Sequence, residues 1–285
     1  MKNENILIVG SSRGIGAHIA KNIFENTQYN LILCSRSLST YQNLFNKKFL
    51  SSTRVKIKSL DVSNENKIKN LFNFIIKNRL KLKGIINCSG VVGKGGKISS
   101  IATNDWDKTI KINLYGTFFL YKYFVEYLAQ RKTKTFFINF SGGGGTGPFA
   151  YLDSYAVSKV AINRLCENIS EEYEATNFIT FSISPGSINT KMFYDFARQS
   201  KKLGKKLKLE IKHRLTNGGA DIQNPTNLIL FFLKNISSLT HLSGRIISAR
   251  FDSMEKLISN KLQIMNSDLL KLRRIDKNVV DTEVL

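Results

Sequence analysis

Short apolar runs recur along this chain, and behind most of them apolar residues return every three or four positions. Ile6-Leu7-Ile8-Val9 is the first run, and the stretch from Gly14 to Glu25 behind it has the period of an amphipathic helix. Leu31 to Cys34 and Val55 to Leu60 give a second and third strand, followed by a helix from Glu65 to Lys77. Gly84 to Asn87 gives a fourth strand, and Trp106 to Gln130 carries Ile110, Leu114, Phe118, Tyr121 and Val125 in helical step. Thr135 to Phe140 and Ile179 to Ile183 read as the fifth and sixth strands, with a helix over Ser154 to Tyr173 between them. A helix near Thr226 to Lys234 precedes the seventh, Arg245 to Ser248. Short apolar strands alternating with helices of ten or more residues make βαβ units and a parallel sheet covered on both faces. The fold class expected is α/β: a doubly wound, parallel seven-stranded sheet with helices on both faces.

Ligands of such sheets bind beyond the carboxyl ends of the strands, so those ends are where chemistry is sought. Gly10-Ser11-Ser12-Arg13-Gly14-Ile15-Gly16 follows the first strand directly and opens the first helix. Backbone N–H groups in a glycine turn approach a pyrophosphate closely, and a helix N-terminus favours negative charge. The segment Cys34-Ser35-Arg36-Ser37 ends the second strand without the Asp or Glu that would hold a ribose 2′-hydroxyl. Arg36, with Arg13 as a second partner, suits a 2′-phosphate instead, because a guanidinium pairs with phosphate through its fork. The cofactor expected is therefore NADP(H) in preference to NAD(H). Tyr155 and Lys159 lie four residues apart and share one face of their helix. A free phenol has a pKa of about 10, and a neighbouring ammonium is expected to lower it toward a working value.

The spacing Gly-x3-Gly-x-Gly resembles that of the short-chain dehydrogenase/reductase family, and further motifs follow in the family's order over residues 5–249. Leu60-Asp61-Val62 looks like the acidic segment that contacts adenine, and Asn87-Cys88-Ser89-Gly90 like the family's N-N-A-G segment. Asn113, Tyr155-x3-Lys159 and Pro185-Gly186 complete the series. The resemblance implies a Rossmann fold and an enzyme that moves a hydride between the nicotinamide and a carbonyl or alcohol. It makes Tyr155 the acid/base, Lys159 the holder of the ribose hydroxyls, and Asn113 the anchor of a proton-relay water. It further implies that Ile188 closes on the carboxamide by its backbone and that Thr190 touches the pyrophosphate. The family usually has a serine thirteen residues before the tyrosine; here that position is Gly142, and Ser141 lies one further back in a run of four glycines. Either a longer loop lets Ser141 serve as the donor to the substrate oxygen, or a glycine N–H, another loop group or the substrate itself replaces it. Ser154 is a weaker substitute.

Residues 187–222 are read as a lysine-rich lid on the 1–250 domain, and 251–285 as a C-terminal helical extension. Helices over Met254 to Ile264 and Leu269 to Ile275 are expected to pack across a neighbouring subunit. The helices around 106–130 and 154–174 are the family's usual pairing surfaces, so a homodimer or homotetramer is expected. The aromatic string Phe118, Phe119, Tyr121, Tyr123, Phe124 and Tyr127 circles its helix, which implies burial on more than one side.

Composition changes this picture little. Of 285 residues, 42% are apolar and 22% charged, which suits a globular domain. Three separated cysteines, Cys34, Cys88 and Cys166, read as reduced thiols, and His18, His213 and His241 form no ligand cluster, so no metal is expected. The start carries no signal-peptide pattern and no apolar run reaches the roughly 18 residues of a membrane span, so a cytoplasmic protein is expected. The net charge of +22 is read first as joint over-use of Lys, Asn, Ile and Phe, then as attraction for an anionic substrate, and last as nucleic-acid binding. The glycine loop and Leu242 to Ala249 look like a branch associated with nucleotide-sugar pathways, a weak pointer to sugar-related carbonyl chemistry. The alternatives are a 3-oxoacyl-carrier-protein-type reductase, or a catalytically impaired NADP-binding sensor or scaffold.

Overall fold

The computed structural model describes residues 4–274. In chain order the elements are β1 (Glu4–Val9), α1 (Gly14–Asn26), β2 (Asn30–Ser35), α2 (Ser39–Gln42), α3 (Lys47–Leu50), β3 (Val55–Ser59), α4 (Glu65–Lys77) and β4 (Lys81–Asn87). There follow α5 (Thr103–Ile110), a π-helical turn (Lys111–Tyr115), α6 (Gly116–Ala129), β5 (Thr135–Phe140), α7 (Asp153–Glu172) and β6 (Phe178–Ser184). The chain continues with α8 (Lys191–Ala197), α9 (Lys205–Asn217), α10 (Gln223–Asn235), β7 (Ile246–Ser248), α11 (Met254–Ser259) and α12 (Lys261–Met265). All seven strands are parallel, in the order β3-β2-β1-β4-β5-β6-β7. The expected Rossmann-type fold is the one observed.

Alternation along β1 shows how the two layers form. Ile6 and Ile8 face α1 and α10, where Ile19, Ile23, Ile229 and Phe232 are buried, while Leu7 and Val9 face α4 and α6 with Ile68, Ile75, Leu120 and Phe124. Strand residues two apart share a face, so a continuous apolar run feeds both layers at once. The chain leaves β1 in one direction across the sheet and returns to β4 on its other side, so the crossovers diverge and open a crevice between the two strand ends.

The aromatic string on α6 divides as its angular spread requires. Tyr121 and Phe124 are buried, Tyr123 and Tyr127 are partly buried and donate to Glu65 and to the Leu80 carbonyl, and Phe118 is exposed. Beyond β7 the chain departs from the pattern-based expectation. The helix expected from Met254 to Ile264 is broken at Asn260 into α11 and α12. The helix expected from Leu269 to Ile275 is replaced by a turn with Leu270 at positive φ and irregular chain after it; Ile275 lies outside the described residues. Leu257 and Ile264 enter the same core as β1, so the extension packs on its own chain. Buried Arg245 fastens it, donating to the carbonyls of His241, Ile264, Ser267 and Leu269.

Replacing Arg245 with Met leaves those carbonyls without their donor, and breaking a buried hydrogen-bond network typically costs up to about 3 kcal/mol. Urea denaturation of Arg245→Met is expected to show a loss of about 3 kcal/mol. A loss below about 1 kcal/mol would mean that the clamp contributes nothing beyond packing.

Candidate functional site

The crevice is a cleft of about 670 Å3 at the carboxyl ends of β1, β2 and β4. The glycine turn forms its floor because the chain passes there at backbone contact. Gly10 has φ +79°, and a Cβ on it would lie 2.8 Å from the Cys88 backbone; one on Gly16 would lie 2.4 Å from the Gly10 carbonyl oxygen. The Gly10 N–H donates to the Cys34 carbonyl at 2.8 Å, and the Cys88 N–H to the Val9 carbonyl at 2.8 Å, tying the turn to β2 and β4. Buried Ser11 shares a 2.7 Å hydrogen bond with the Tyr41 hydroxyl, a support for the turn that no motif revealed.

Of the residues expected at the cofactor, Gly10, Ser12, Arg13, Gly14, Ile15 and Gly16 all line the cleft. So do Arg36, Asp61, Val62, Ser89, Gly90 and Thr190. Thr190 stands across from the turn, its Cγ2 at 3.4 Å from where a Gly14 Cβ would be. Arg13 and Arg36 are exposed, and neither forms an ion pair within 4 Å among the described residues. Burial works against ionisation of Asp61, but hydrogen bonds from the Ser63 hydroxyl and N–H, with the charges of Arg36 and Lys67, hold its carboxyl below the usual range. Asn87 lies beneath the cleft: its Oδ1 accepts from the Ser89 hydroxyl at 2.6 Å and its Nδ2 donates to Thr117 at 3.0 Å. Pro185, Gly186 and Ile188 do not line the cleft; they form a tight turn beside it, with the Ile188 N–H donating to the Gly186 carbonyl and the Thr190 N–H to that of Ile188.

The catalytic candidates converge behind Gly90. The π-helical turn sets Asn113 inward, where Oδ1 accepts from the Val91 N–H at 2.9 Å and Nδ2 donates to the Val91 carbonyl and the Ser158 hydroxyl, both at 3.0 Å. A Cβ on Gly90 would lie 3.4 Å from Asn113 Oδ1 and 3.7 Å from Lys159 Nζ, so these three positions meet. Lys159 and Tyr155 sit one turn apart on α7. The Lys159 ammonium donates to the Phe140 carbonyl at 2.7 Å and lies 5.5 Å from the Tyr155 ring centroid.

One expectation is corrected here. Tyr155 is pushed up to about 12 rather than down, because burial disfavours the phenolate. Lys159 is lowered to about 8 by the same burial. Of the two readings open for Ser141, its observed contacts take the hydroxyl to Asn163, with no hydrogen bond to Tyr155 among the described residues. The Ser141 N–H continues the sheet to the Ile183 carbonyl, and its Oγ accepts from Asn163 Nδ2 at 3.0 Å. Position 142 is the one that faces the phenol: a Cβ on Gly142 would lie 2.3 Å from Tyr155 Oη.

Tyr155 does not open into the cleft and is 8% exposed. Phe193 and Phe196 of α8, Leu203, and Leu207 and Ile211 of α9 pack with it and with Leu152; Phe149 and Met192 lie at the edge. The Gln199 side chain latches this cover, donating to the Gly93 carbonyl at 3.1 Å and accepting from the Gly95 N–H at 2.8 Å. Lys94, Lys191, Met192, Asp195, Arg198 and Gln199 line the outer cleft and carry no motif, so only the folded chain shows them.

Comparison with known proteins agrees with this geometry. Residues 4–201 match the family model described as short chain dehydrogenase. An NADPH-dependent pterin aldehyde reductase of Arabidopsis thaliana is 26% identical over 189 residues, covering 66% of this chain and 76% of the relative. A short chain dehydrogenase/reductase from Saccharomyces cerevisiae superposes with a TM-score of 0.77 at 21% identity, covering 90% of this chain and 99% of the other. ElxO, solved with NADP bound, superposes with a TM-score of 0.70 at 23% identity, covering 87% and 97%. With its glycine turn, its crevice and its Tyr155–Lys159 pair matched by a family model over most of its length, the chain belongs to the short-chain dehydrogenase/reductase family and is an oxidoreductase.

Proposed function

We propose that this protein is an NADP(H)-dependent oxidoreductase that interconverts a carbonyl compound and its alcohol. The observation that carries this reading is the convergence of Asn113, Lys159 and Gly90 behind the glycine-floored cleft, with Tyr155 one helical turn away. A cofactor fits the groups present. The N-terminus of α1 bears no acid in its first turn, and Arg13 and Arg36 flank the cleft where a 2′-phosphate needs cations. The NADPH dependence of the plant relative supports the same choice.

When bound, the nicotinamide supplies or accepts the hydride at the substrate carbon. Tyr155 gives the proton to the carbonyl oxygen in reduction and takes it back from the alcohol in oxidation. Lys159 holds the ribose hydroxyls and lowers the cost of a phenolate, and Asn113 keeps its helix open at the π-turn for a proton path. Access to Tyr155 needs the 191–217 cover to move aside. Nucleotide-sugar chemistry is supported only by the glycine loop together with Leu242 to Ala249. The aromatic surroundings of Tyr155 favour a carbonyl carried on an apolar body, since each buried sugar hydroxyl needs a partner they do not provide. An impaired sensor or scaffold would bind the cofactor without turnover.

Three measurements test this. NADPH is expected to bind at least tenfold more tightly than NADH by fluorescence titration, with Arg36→Ala removing most of the difference; tighter NADH binding would reverse the cofactor assignment. On a panel of aldehydes and ketones, Tyr155→Phe is expected to lose at least 100-fold in turnover, within the typical contribution of a positioned acid/base. Ser141→Ala is expected to stay within about threefold of wild type, whereas loss of a true oxygen donor typically costs about 100- to 1,000-fold.

The pKa shift of Lys159 gives a pH test of stability. The unfolded lysine holds its proton to about 10.4, while the folded one releases it near 8. Between these values the unfolded state binds more protons, so this group makes stability rise with pH. Lys159→Met removes the buried charge. Its Tm is expected to exceed that of wild type at pH 7, and the gap to narrow by pH 10. A gap that does not change with pH would mean that Lys159 is not desolvated.

A further inference from the structure

The glycine loop after β5 carries a main-chain donor that the chemistry above leaves unused. A Cβ on Gly142 would overlap Tyr155 Oη, so the phenol fills the space that a side chain at 142 would take. The Gly142 nitrogen is bonded to the same Cα and therefore borders that oxygen. Its direction follows from the strand it continues. Successive residues of an extended strand turn their N–H and C=O groups to opposite neighbours. The Ser141 N–H donates to the Ile183 carbonyl of β6 at 2.8 Å, so the groups of Phe140 and Gly142 turn toward β4. On that side the Phe140 carbonyl accepts from Lys159 Nζ at 2.7 Å. The Gly142 N–H turns to the same space, is half-buried, and has no acceptor among the described residues.

The turn that holds this donor is fixed from several sides. The Gly145 N–H donates to the Gly142 carbonyl at 2.9 Å, closing residues 142–145 into a β-turn with Gly144 at φ +84°. Buried Asn163 of α7 spans the loop, its Nδ2 donating to Ser141 Oγ at 3.0 Å and to the Gly145 carbonyl at 2.9 Å. On the outer side, a Cβ on Gly143 would meet the Phe149 ring at 3.0 Å, and one on Gly144 would meet Ala156 Cβ at 2.6 Å. The bare main chain of 142–144 thus lies between Phe149, α7 and the phenol.

We propose that the Gly142 N–H is the hydrogen-bond donor to the substrate oxygen, and that Asn163 is the positioning residue that aims it. This rests on the carbonyl chemistry proposed above. In reduction the hydride enters at the carbonyl carbon, the C=O electron pair moves onto oxygen, and that oxygen takes the Tyr155 proton. The Gly142 N–H keeps its own proton and stabilises the negative charge as it develops. A donor fixed before the reaction does this without reorganising, and losing one typically costs about 100- to 1,000-fold in turnover. The main chain has no side-chain rotamer to order, which is why the loop can work without a serine at 142.

The amide can be read directly by NMR. Gly90, Gly142 and Gly244 are the glycines that follow a serine, so full-length protein made by cell-free synthesis from carbonyl-labelled serine and nitrogen-labelled glycine gives three amide signals. Ser141→Ala removes the Gly142 signal and so assigns it. NADP+ is added with the ketone that the panel shows to react fastest; with no hydride present, this complex does not turn over. The Gly142 amide proton is expected to move downfield on ketone addition while Gly244 stays in place. Asn163→Ala is expected to lose at least half of that movement and at least tenfold in turnover, with the NADPH Kd within twofold of wild type. Gly142→Ser puts a hydroxyl at the family's usual position but drives it against the phenol, and is expected to lower turnover at least tenfold.

A Gly142 signal that stays in place at saturating ketone overturns the proposal. Faster turnover by Gly142→Ser overturns it too, since the wild-type site would then be short of a donor. A loss of 100-fold or more in Ser141→Ala gives the role to that hydroxyl instead. Unchanged shift and turnover in Asn163→Ala remove Asn163 from its positioning role; if that variant fails to fold, the wild-type signal and Gly142→Ser still decide the donor. Turnover of no panel compound by wild type that binds NADPH defeats the carbonyl chemistry itself, a result visible before any spectrum is taken.

Discussion

The contact on which the site depends is the approach of the β1–α1 turn to the end of β4. Parallel strands side by side leave only backbone width between the turn at Gly10 and the chain at Cys88. A side chain on either Gly10 or Gly16 would push the turn off β4 or the helix off the turn. The N-terminus of α1 would then no longer point into the crevice. The hydrogen bonds from Gly10 to Cys34 and from Cys88 to Val9 hold three strand ends at one level, and the cleft opens above them.

Behind this floor two titratable side chains, Tyr155 and Lys159, are buried. Tyr155 and Lys159 are both desolvated, which favours neutral forms of each: the phenol rises to about 12 and the ammonium falls to about 8. The two shifts bring the pair's pKa values into an order in which the lysine, not the tyrosine, is the easier group to deprotonate. Desolvation alone therefore opposes the phenolate. The π-turn that places Asn113 is a departure from the regular helix of the kind often found at functional sites.

The cover and the C-terminal extension use arginine in the same way. Arg245 donates to four backbone carbonyls around the segment after β7, and half-buried Arg214 donates to the Ile188 carbonyl and the Asn189 side-chain oxygen. A planar fork with five donors can serve several carbonyls at once, which lets irregular chain pack without stranded polar groups. At 214 the arrangement joins α9 to residues 188–193, while at 245 it ties the segment after β7 to the edge of the sheet.

Much of this was legible in the amino-acid sequence. The central strands were signalled by short apolar runs, because a strand covered on both faces needs apolar residues throughout, while edge strand β3 alternates Val55-Lys56-Ile57-Lys58. The glycine turn, Tyr155-x3-Lys159 and the missing acid after β2 were equally plain, because each depends on residues adjacent along the chain. Other features depended on contacts between distant segments. The orientation of Ser141 follows from Asn163, twenty-two residues away on α7, and from the strand pairing with Ile183. The direction of the Tyr155 shift follows from how much of 193–211 lies over it, which a pairwise view of an i,i+4 ammonium does not contain. The break at Asn260, the path of 266–274 and the grip of Arg214 on Ile188 are likewise set by packing against surfaces that exist only after folding. Local spacing and periodicity determined the elements and the ends at which chemistry sits; desolvation and long-range contact decided which groups meet there and in what protonation state.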